Sequence, residues 1–314
     1  MTVKVPGNLI FLGEYAVLEE GGLGIVCAVD RHIRLHTLPA QELRVEGVQP
    51  SESFTWTPWS PRGEQGTSVV AAVFDTITEW KRRRGAGDIP ELQVHIDSSE
   101  LAFKKGQKGG FGSSAATALA LVIALSGQGR LNNEILRLAL EAHRLAQGGM
   151  GSGYDVYCSF FGGWGMFRGG ERPTWKQLQP FADICLYLFP GPRPVSTRNA
   201  IQSFLQWKSR HEKRACRLIE ESNSHARDFA AADNPAQAAL ALCKARQTSI
   251  MLGDEIGVEA RIPVPAGIDP DLCKSLGAGN ELGLYMRLPG TQEPHSSSML
   301  TPVSVSLPGA QWSP

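Results

Sequence analysis

The chain has 314 residues, with 31 Lys+Arg balanced by 31 Asp+Glu, and is 42% hydrophobic and 20% charged. This length predicts about two lobes, each with its own core. Zero net charge excludes a global field that would recruit nucleic acid, an anionic membrane or an acidic partner, so any anionic ligand must be held by local groups.

No apolar run approaches the roughly 20 residues that cross a bilayer; the longest candidate, Ala115 to Leu125, is about half that. Pro6, Gly7, Gly13 and Glu14 interrupt any signal-type core near the start, which predicts a cytoplasmic protein. The 6 cysteines form no C-x-x-C pair and fit reduced thiols. The 34 glycines cluster at 109–112, 148–153, 162–170 and 277–283, a pattern of close-approach loops more than of linkers.

In chain order, strands are predicted at Leu9–Leu12, Ile25–Cys27, Arg31–Thr37 and Leu43–Val48. A helix follows, with Val69, Val70, Val73, Phe74, Ile77 and Trp80 at helical spacing and a basic last turn, Lys81 to Arg84, before Gly85. That charge run reads as a helix end, since it has no aromatic interleaving or basic surround for nucleic acid. Leu92–Ile96 alternates as a strand, and a second helix opens at Ser113 or Ser114. A third spans Asn133–Gln147, with Ile135, Leu138, Ala139, Ala142 and Leu145 on one face, and His143 reads as a core residue beside it. Strands at Gly165–Arg168 and Cys185–Phe189 precede helices at Asn199–Phe229 and Pro235–Leu252, with late strands at Leu282–Leu288 and Val303–Leu307. These elements divide into lobes at 1–175 and 176–314.

Lys108-Gly109-Gly110-Phe111-Gly112-Ser113-Ser114-Ala115-Ala116 is the strongest chemical signal. Its glycines let backbone N–H groups converge at a helix N-terminus, where unpaired donors and the dipole favour a phosphate. The lysine precedes the glycines, so this is not a Walker A loop. Gly148 to Val156 carries a single carboxylate, Asp155, the candidate base for phosphoryl transfer, with a turn or helix cap as the plainer alternative. Neither loop holds a G-x-S-x-G elbow, and His211-Glu212 does not continue to H-E-x-x-H, which excludes those hydrolase and zinc-protease readings.

Val5-Pro6-Gly7-Asn8-Leu9-Ile10-Phe11-Leu12-Gly13-Glu14-Tyr15-Ala16-Val17-Leu18 resembles the first motif of the GHMP small-molecule kinases. The serine loop resembles their second motif, and Lys274-Ser275-Leu276-Gly277-Ala278-Gly279 the start of their third. Within the family, Glu14 to Leu18 and the run from Ala142 through Gly148 to Val156 are most similar to phosphomevalonate kinases. The resemblance implies an α+β GHMP kinase fold: an N-terminal lobe like domain 2 of ribosomal protein S5, a ferredoxin-like C-terminal lobe, and ATP and acceptor meeting between them. It implies that Gly109, Gly110, Phe111, Gly112, Ser113, Ser114 and Ala115 wrap the ATP phosphates and that Ser114 holds Mg²⁺. Lys108 would neutralise transferred charge, and Asp155 would lie beside the acceptor group. The implied acceptor-binding set is Asn8, Glu14, Tyr15, Ser152, Gly153, Ser196, Thr197, Arg198, Gly277, Ala278 and Gly279, although Ser196 is equally placed to cap a helix.

The reaction so implied takes 5-phosphomevalonate to 5-diphosphomevalonate with ATP and Mg²⁺, in a monomer or homodimer acting on a small molecule. Mevalonate or another small alcohol is the alternative acceptor, and a nucleotide-binding regulator without turnover the alternative class. Asn8 stands where mevalonate and phosphomevalonate kinases usually carry lysine, Gly149 where many phosphomevalonate kinases do, and Arg144 near the position of the second metal carboxylate of mevalonate kinases.

Overall fold

Valine and isoleucine runs build strands longer than their sequence signals, because chain neighbours of mixed character are carried along by ladder pairing. A computed structural model describes residues 1–48, 53–61, 67–102, 109–179, 181, 184–193, 195–293 and 299–314. Among them the order is β1 (Thr2–Leu12), β2 (Leu23–Pro39), β3 (Arg44–Val48), β4 (Ser53–Trp56), α1 (Ser68–Arg84), β5 (Leu92–Asp97), α2 (Ser113–Ser126), α3 (Asn133–Ala146) and α4 (Tyr154–Phe161). There follow β6 (Trp164–Arg168), β7 (Thr174–Leu178), β8 (Cys185–Pro190), α5 (Thr197–Arg210), α6 (Glu212–Ala230), α7 (Pro235–Ile256), β9 (Cys273–Leu276), β10 (Leu282–Arg287), β11 (Thr301–Val303) and β12 (Gln311–Ser313).

Two compact units are interleaved along the chain: Met1–Asn8, Ala28–Gly163 and Ser306–Pro314 form the first, Leu9–Cys27 and Trp164–Val305 the second. They do not part at 175/176 as the sequence suggested. The physical reason is visible in β2, whose residues 23–27 pair with β6 while residues 34–39 pair with β5.

In the first unit, Thr2–Lys4 of β1 pair with β12, β2 pairs antiparallel with β5, β5 pairs parallel with β3, and β3 pairs antiparallel with β4. Helix α2 lies against α1, α3 and α4. It is apolar all round, and its residues Ala118 to Ser126 are all buried, as befits a central helix. Asn132 caps α3 by accepting from the N–H groups of Glu134 and Ile135. The basic end of α1 is a helix end, as expected: Arg82 and Arg83 pair with Glu79, and Arg84 pairs with Glu134 and sits over the Trp80 ring.

The second unit holds a four-stranded antiparallel sheet in the order β11-β8-β10-β9. Helix α7 packs on α6, α5 and β9. The single long helix predicted over 199–229 is interrupted at His211, which ends α5 and starts α6 with φ −134° and ψ 45°. The break lets Phe204, Trp207, Ala215, Leu218, Leu252 and Ile256 close one core, against which Tyr15 and Leu18 pack.

On β9, Lys274 forms a buried ion pair with Glu14, their side chains being 1% and 9% exposed. Removing one partner of such a pair leaves an uncompensated charge in a low-dielectric interior. Lys274→Met alone should therefore cost about 3–5 kcal/mol in urea unfolding, and Lys274→Met with Glu14→Gln distinctly less; equal losses in the two variants would show the pair to be uncoupled.

Candidate active site

The serine loop of the first unit is shaped by close approach. Gly110 and Gly112 have φ of 66° and 64°, a region L side chains rarely occupy. A Cβ on Gly112 would lie 2.3 Å from Asn8 Nδ2, and one on Gly109 would lie 2.3 Å from the buried Phe111 ring. Gly112 is the residue before α2 and offers no side-chain cap, so the first N–H groups of that helix are left for an external acceptor. Ser113 is exposed, Ser114 half-buried and Ala115 buried. Lys108 lies outside the described residues.

Asp155 stands in the first turn of α4, where the helix dipole favours a carboxylate. Gly153 enters that helix with φ 91°, and a Cβ there would meet Leu140 at 2.1 Å. Asp155 Oδ1 accepts from the Val156 N–H at 2.9 Å, while the cap position of α4 is held by Gly153, with no side-chain cap. Arg144, near the position where mevalonate kinases carry a metal carboxylate, braces the loop instead, donating to the carbonyls of Gly151 at 3.1 Å and Ser152 at 3.0 Å. Glu141 is half-exposed and paired with Arg137. Among the described residues no three carboxylate, histidine or cysteine side chains form a metal cluster.

Two side chains bind these parts together. Asn8 is buried and donates through Nδ2 to the Asp155 carbonyl at 3.3 Å and to Ser159 Oγ at 3.1 Å, while Ser159 donates to the Pro6 carbonyl at 2.8 Å. Its backbone N–H donates to the Phe111 carbonyl at 2.9 Å. His143, read from its spacing as a core residue, is fully buried but placed among polar groups: Nε2 lies 3.0 Å from Ser114 Oγ and 3.1 Å from Gln147 Nε2, and Nδ1 lies 3.6 Å from Asp155 Oδ1.

In the second unit, Glu14, Tyr15, Gly277, Ala278 and Gly279 line one pocket together with Ser249 and Ser275. Tyr15 donates its hydroxyl to the Ala278 carbonyl at 2.6 Å. Burial, and then the neighbouring Glu14 carboxylate, pushes the Tyr15 phenol up. Burial also raises the Glu14 carboxyl, against the opposing pull of the Lys274 ammonium. Ser196 caps α5, accepting from the Asn199 N–H at 3.4 Å, and Thr197 and Arg198 are exposed on its first turn. Glu281 ties the preceding loop to the third-motif segment, accepting from Gly191 N–H at 2.8 Å through its carbonyl and from Val195 N–H at 3.2 Å through its carboxylate.

The candidates thus form two sets. Asn8, the 109–115 loop, Ser152, Gly153 and Asp155 lie in the first unit; Glu14, Tyr15, Ser196, Thr197, Arg198, Gly277, Ala278 and Gly279 lie in the second. Sequence reasoning did not place His143, Gln147 and Lys274 beside these candidates. The pair His143 and Gln147, four residues apart on one helix face and just before the glycine loop, was the available signal.

Gly112→Ala should cost about 2–4 kcal/mol, combining a positive-φ penalty with displacement of the Asn8 amide. Gly127, at the other end of α2, has φ 69° and nothing within 4 Å of an added Cβ. Gly127→Ala should cost only about 1–2 kcal/mol, and equal midpoints for the two variants in thermal unfolding would remove the Asn8 contact as a constraint.

Residues 69–163 match the family described as GHMP kinases N terminal domain. The phosphomevalonate kinase of a Streptomyces species is 31% identical over 186 residues, covering 53% of this chain and 49% of the relative. That of Saccharolobus solfataricus is 27% identical over 164 residues, covering 51% and 47%. The chain therefore spans about half the length of the curated relatives it matches. Among solved structures, the Lin0012 protein of Listeria innocua superposes with a TM-score of 0.79 at 20% identity, covering 99% of both chains. Streptococcus pneumoniae phosphomevalonate kinase, in complex with phosphomevalonate and AMPPNP, gives 0.73 at 17% identity, covering 92% of both. Residues 69–163 are thus similar to the GHMP kinase N-terminal domain, and the chain shares the fold of these solved structures.

Proposed function

We propose that this chain is an ATP-dependent kinase of a small isoprenoid-pathway acceptor, and that the acceptor is 5-phosphomevalonate, converted to 5-diphosphomevalonate. One observation carries the reading: the uncapped N-terminus of α2 and the carboxylate-bearing N-terminus of α4 lie on either side of His143, which is 3.0 Å from Ser114 Oγ and 3.6 Å from Asp155 Oδ1. The first feature suits phosphate oxygens and the second suits an acceptor group that must be oriented. The similarity to two phosphomevalonate kinases supports the choice of acceptor.

In this reading the transfer is direct, and catalysis is positioning and charge neutralisation. Backbone N–H groups of residues 112–114 take phosphate oxygens of the nucleotide. The Ser114 hydroxyl and the phosphates would hold Mg²⁺, which fits a hard cation that keeps waters and few protein ligands and supplies charge neutralisation on the phosphates. Asp155 faces the acceptor. A phosphate monoester is largely ionised at neutral pH, its second pKa being about 6, so Asp155 would take no proton from it and would orient it only through a cation shared between the two anions; a hydroxyl acceptor would require Asp155 to take a proton in full. Glu14, Tyr15, the 277–279 loop and Ser196 to Arg198 supply acceptor recognition, with Arg198 and Lys108 as its cations. The protein acts in the cytoplasm as a monomer or homodimer and needs neither nucleic acid nor membrane.

A second reading, mevalonate or another small alcohol as acceptor, is favoured by the loop at 148–153. Gly149 supplies no cation there, and Arg144 is turned onto the loop's own carbonyls. Coupled ADP release measured against mevalonate, its phosphates and related alcohols separates the two. ATP binding with no turnover anywhere in that panel would instead support a regulatory protein.

Asp155→Asn should lower kcat by about 10²-fold or more with the best acceptor while the unfolding midpoint stays close to that of the parent. Near-normal turnover would reduce Asp155 to a helix cap. Ser114→Ala should raise the KM for Mg-ATP about tenfold and leave the acceptor KM within about twofold; unchanged Mg-ATP kinetics would remove Ser114 from the nucleotide site.

A further inference from the structure

The ring of His143 is completely buried on α3, yet its two nitrogens are treated differently. Nε2 has two neighbours, Ser114 Oγ at 3.0 Å and Gln147 Nε2 at 3.1 Å. Nδ1 has no hydrogen-bond partner among the described residues, and Oδ1 of Asp155 stands 3.6 Å away. An amide nitrogen donates and does not accept. Nε2 must therefore be the accepting nitrogen, and a neutral ring then carries its hydrogen on Nδ1.

That places a buried N–H near a carboxylate but beyond hydrogen-bond reach. A donor left unmet in an interior costs about 1–3 kcal/mol, a cost a purely structural histidine has no reason to carry. The single lone pair on Nε2 can serve one donor at a time, either Gln147 or Ser114. A serine hydroxyl whose lone pairs face a cation has its hydrogen left to give, and Nε2 of His143 is the acceptor beside it.

We propose that His143 is a positioning residue that links Ser114 to Asp155: Nε2 accepts the Ser114 hydroxyl when nucleotide is bound, and the Nδ1–H closes onto Oδ1 and fixes the carboxylate for transfer. The proposal rests on the kinase reading above. It assigns the ring two separable duties, one toward the nucleotide loop through Nε2 and one toward the base through Nδ1. Neither duty requires the ring to change charge.

Two variants split those duties. His143→Asn places its amide near the Nδ1 position and keeps a donor for Asp155 while losing the partner of Ser114. His143→Gln reaches the Nε2 position and keeps a partner for Ser114 while losing the donor. The Asn variant should raise the Mg-ATP KM about tenfold with the smaller loss of kcat, and the Gln variant should lower kcat about tenfold with the smaller change in that KM. Parallel losses that follow the thermal midpoint would make His143 structural and overturn the proposal.

Nitrogen-15 spectra of the histidine side chains provide a readout independent of turnover. The signal absent from His143→Asn should report a neutral ring protonated on Nδ1 and should move in Asp155→Asn. A ring protonated on Nε2, or a signal indifferent to Asp155→Asn, overturns the proposal. If the parent phosphorylates nothing in the acceptor panel, the kinase reading fails by itself, and the ring spectra alone decide whether His143 faces Asp155 as a donor.

Discussion

The first unit depends on the amide of Asn8. Its Nδ2 holds the Asp155 carbonyl and Ser159, its backbone N–H holds the Phe111 carbonyl, and its side chain fills the space that a Cβ on Gly112 would need. One buried residue therefore fixes where the phosphate-type loop ends and where α4 begins. The glycine at 112 is required by this contact as much as by its positive φ, and the same crowding recurs at Gly7, where a Cβ would lie 2.8 Å from the Phe111 carbonyl. Polar groups buried this way must all be paired, which makes the arrangement specific as well as stable.

The second unit is organised around a charge pair. Glu14 belongs to the first motif and Lys274 to the segment opening the third, 260 residues apart, and their burial together with the Tyr15 to Ala278 hydrogen bond holds both segments at one pocket. The pair offers little net stability over an apolar replacement of equal volume, because desolvation offsets most of the attraction. Its value is register. The Tyr15 ring also packs against Phe204, with centroids 5.2 Å apart, which places the first-motif turn against α5.

What could be read from residues alone follows the strength of local signals. The serine loop, the helix after it and the apolar face of α3 were legible because glycine clusters and a sustained helical period agree. Helix α4 was not, since Tyr154 to Phe161 is only eight residues of mostly apolar and aromatic character, which pattern cannot assign to helix or strand. The break at His211 carries no glycine or proline, so it is imposed by packing of α5 and α6 onto α7. The interleaving of the two units is likewise beyond periodicity, because it depends on which partner each half of β2 finds. At the site, Asp155 and Ser114 announced themselves by glycine context, whereas His143 was masked by its place on an apolar helix face.

Asparagine at position 8 also changes the electrostatics that Asp155 experiences. A lysine there would bring a positive charge to the base of α4, whereas Asn8 is neutral and takes the backbone carbonyl of Asp155 instead of its carboxylate. The negative charge of Asp155 is then met by the N-terminal dipole of α4, by its own hydrogen bond from Val156 and by the polar edge of His143. Arg144, the nearest cation on α3 to the glycine loop, spends two of its donors on carbonyls 151 and 152. A carboxylate held by dipoles keeps more of its charge available to a cationic or proton-bearing ligand than one neutralised by an adjacent ammonium. In this protein Asp155 is therefore met by the helix terminus, its own backbone hydrogen bond and a buried imidazole edge, with no lysine at position 8 beside it.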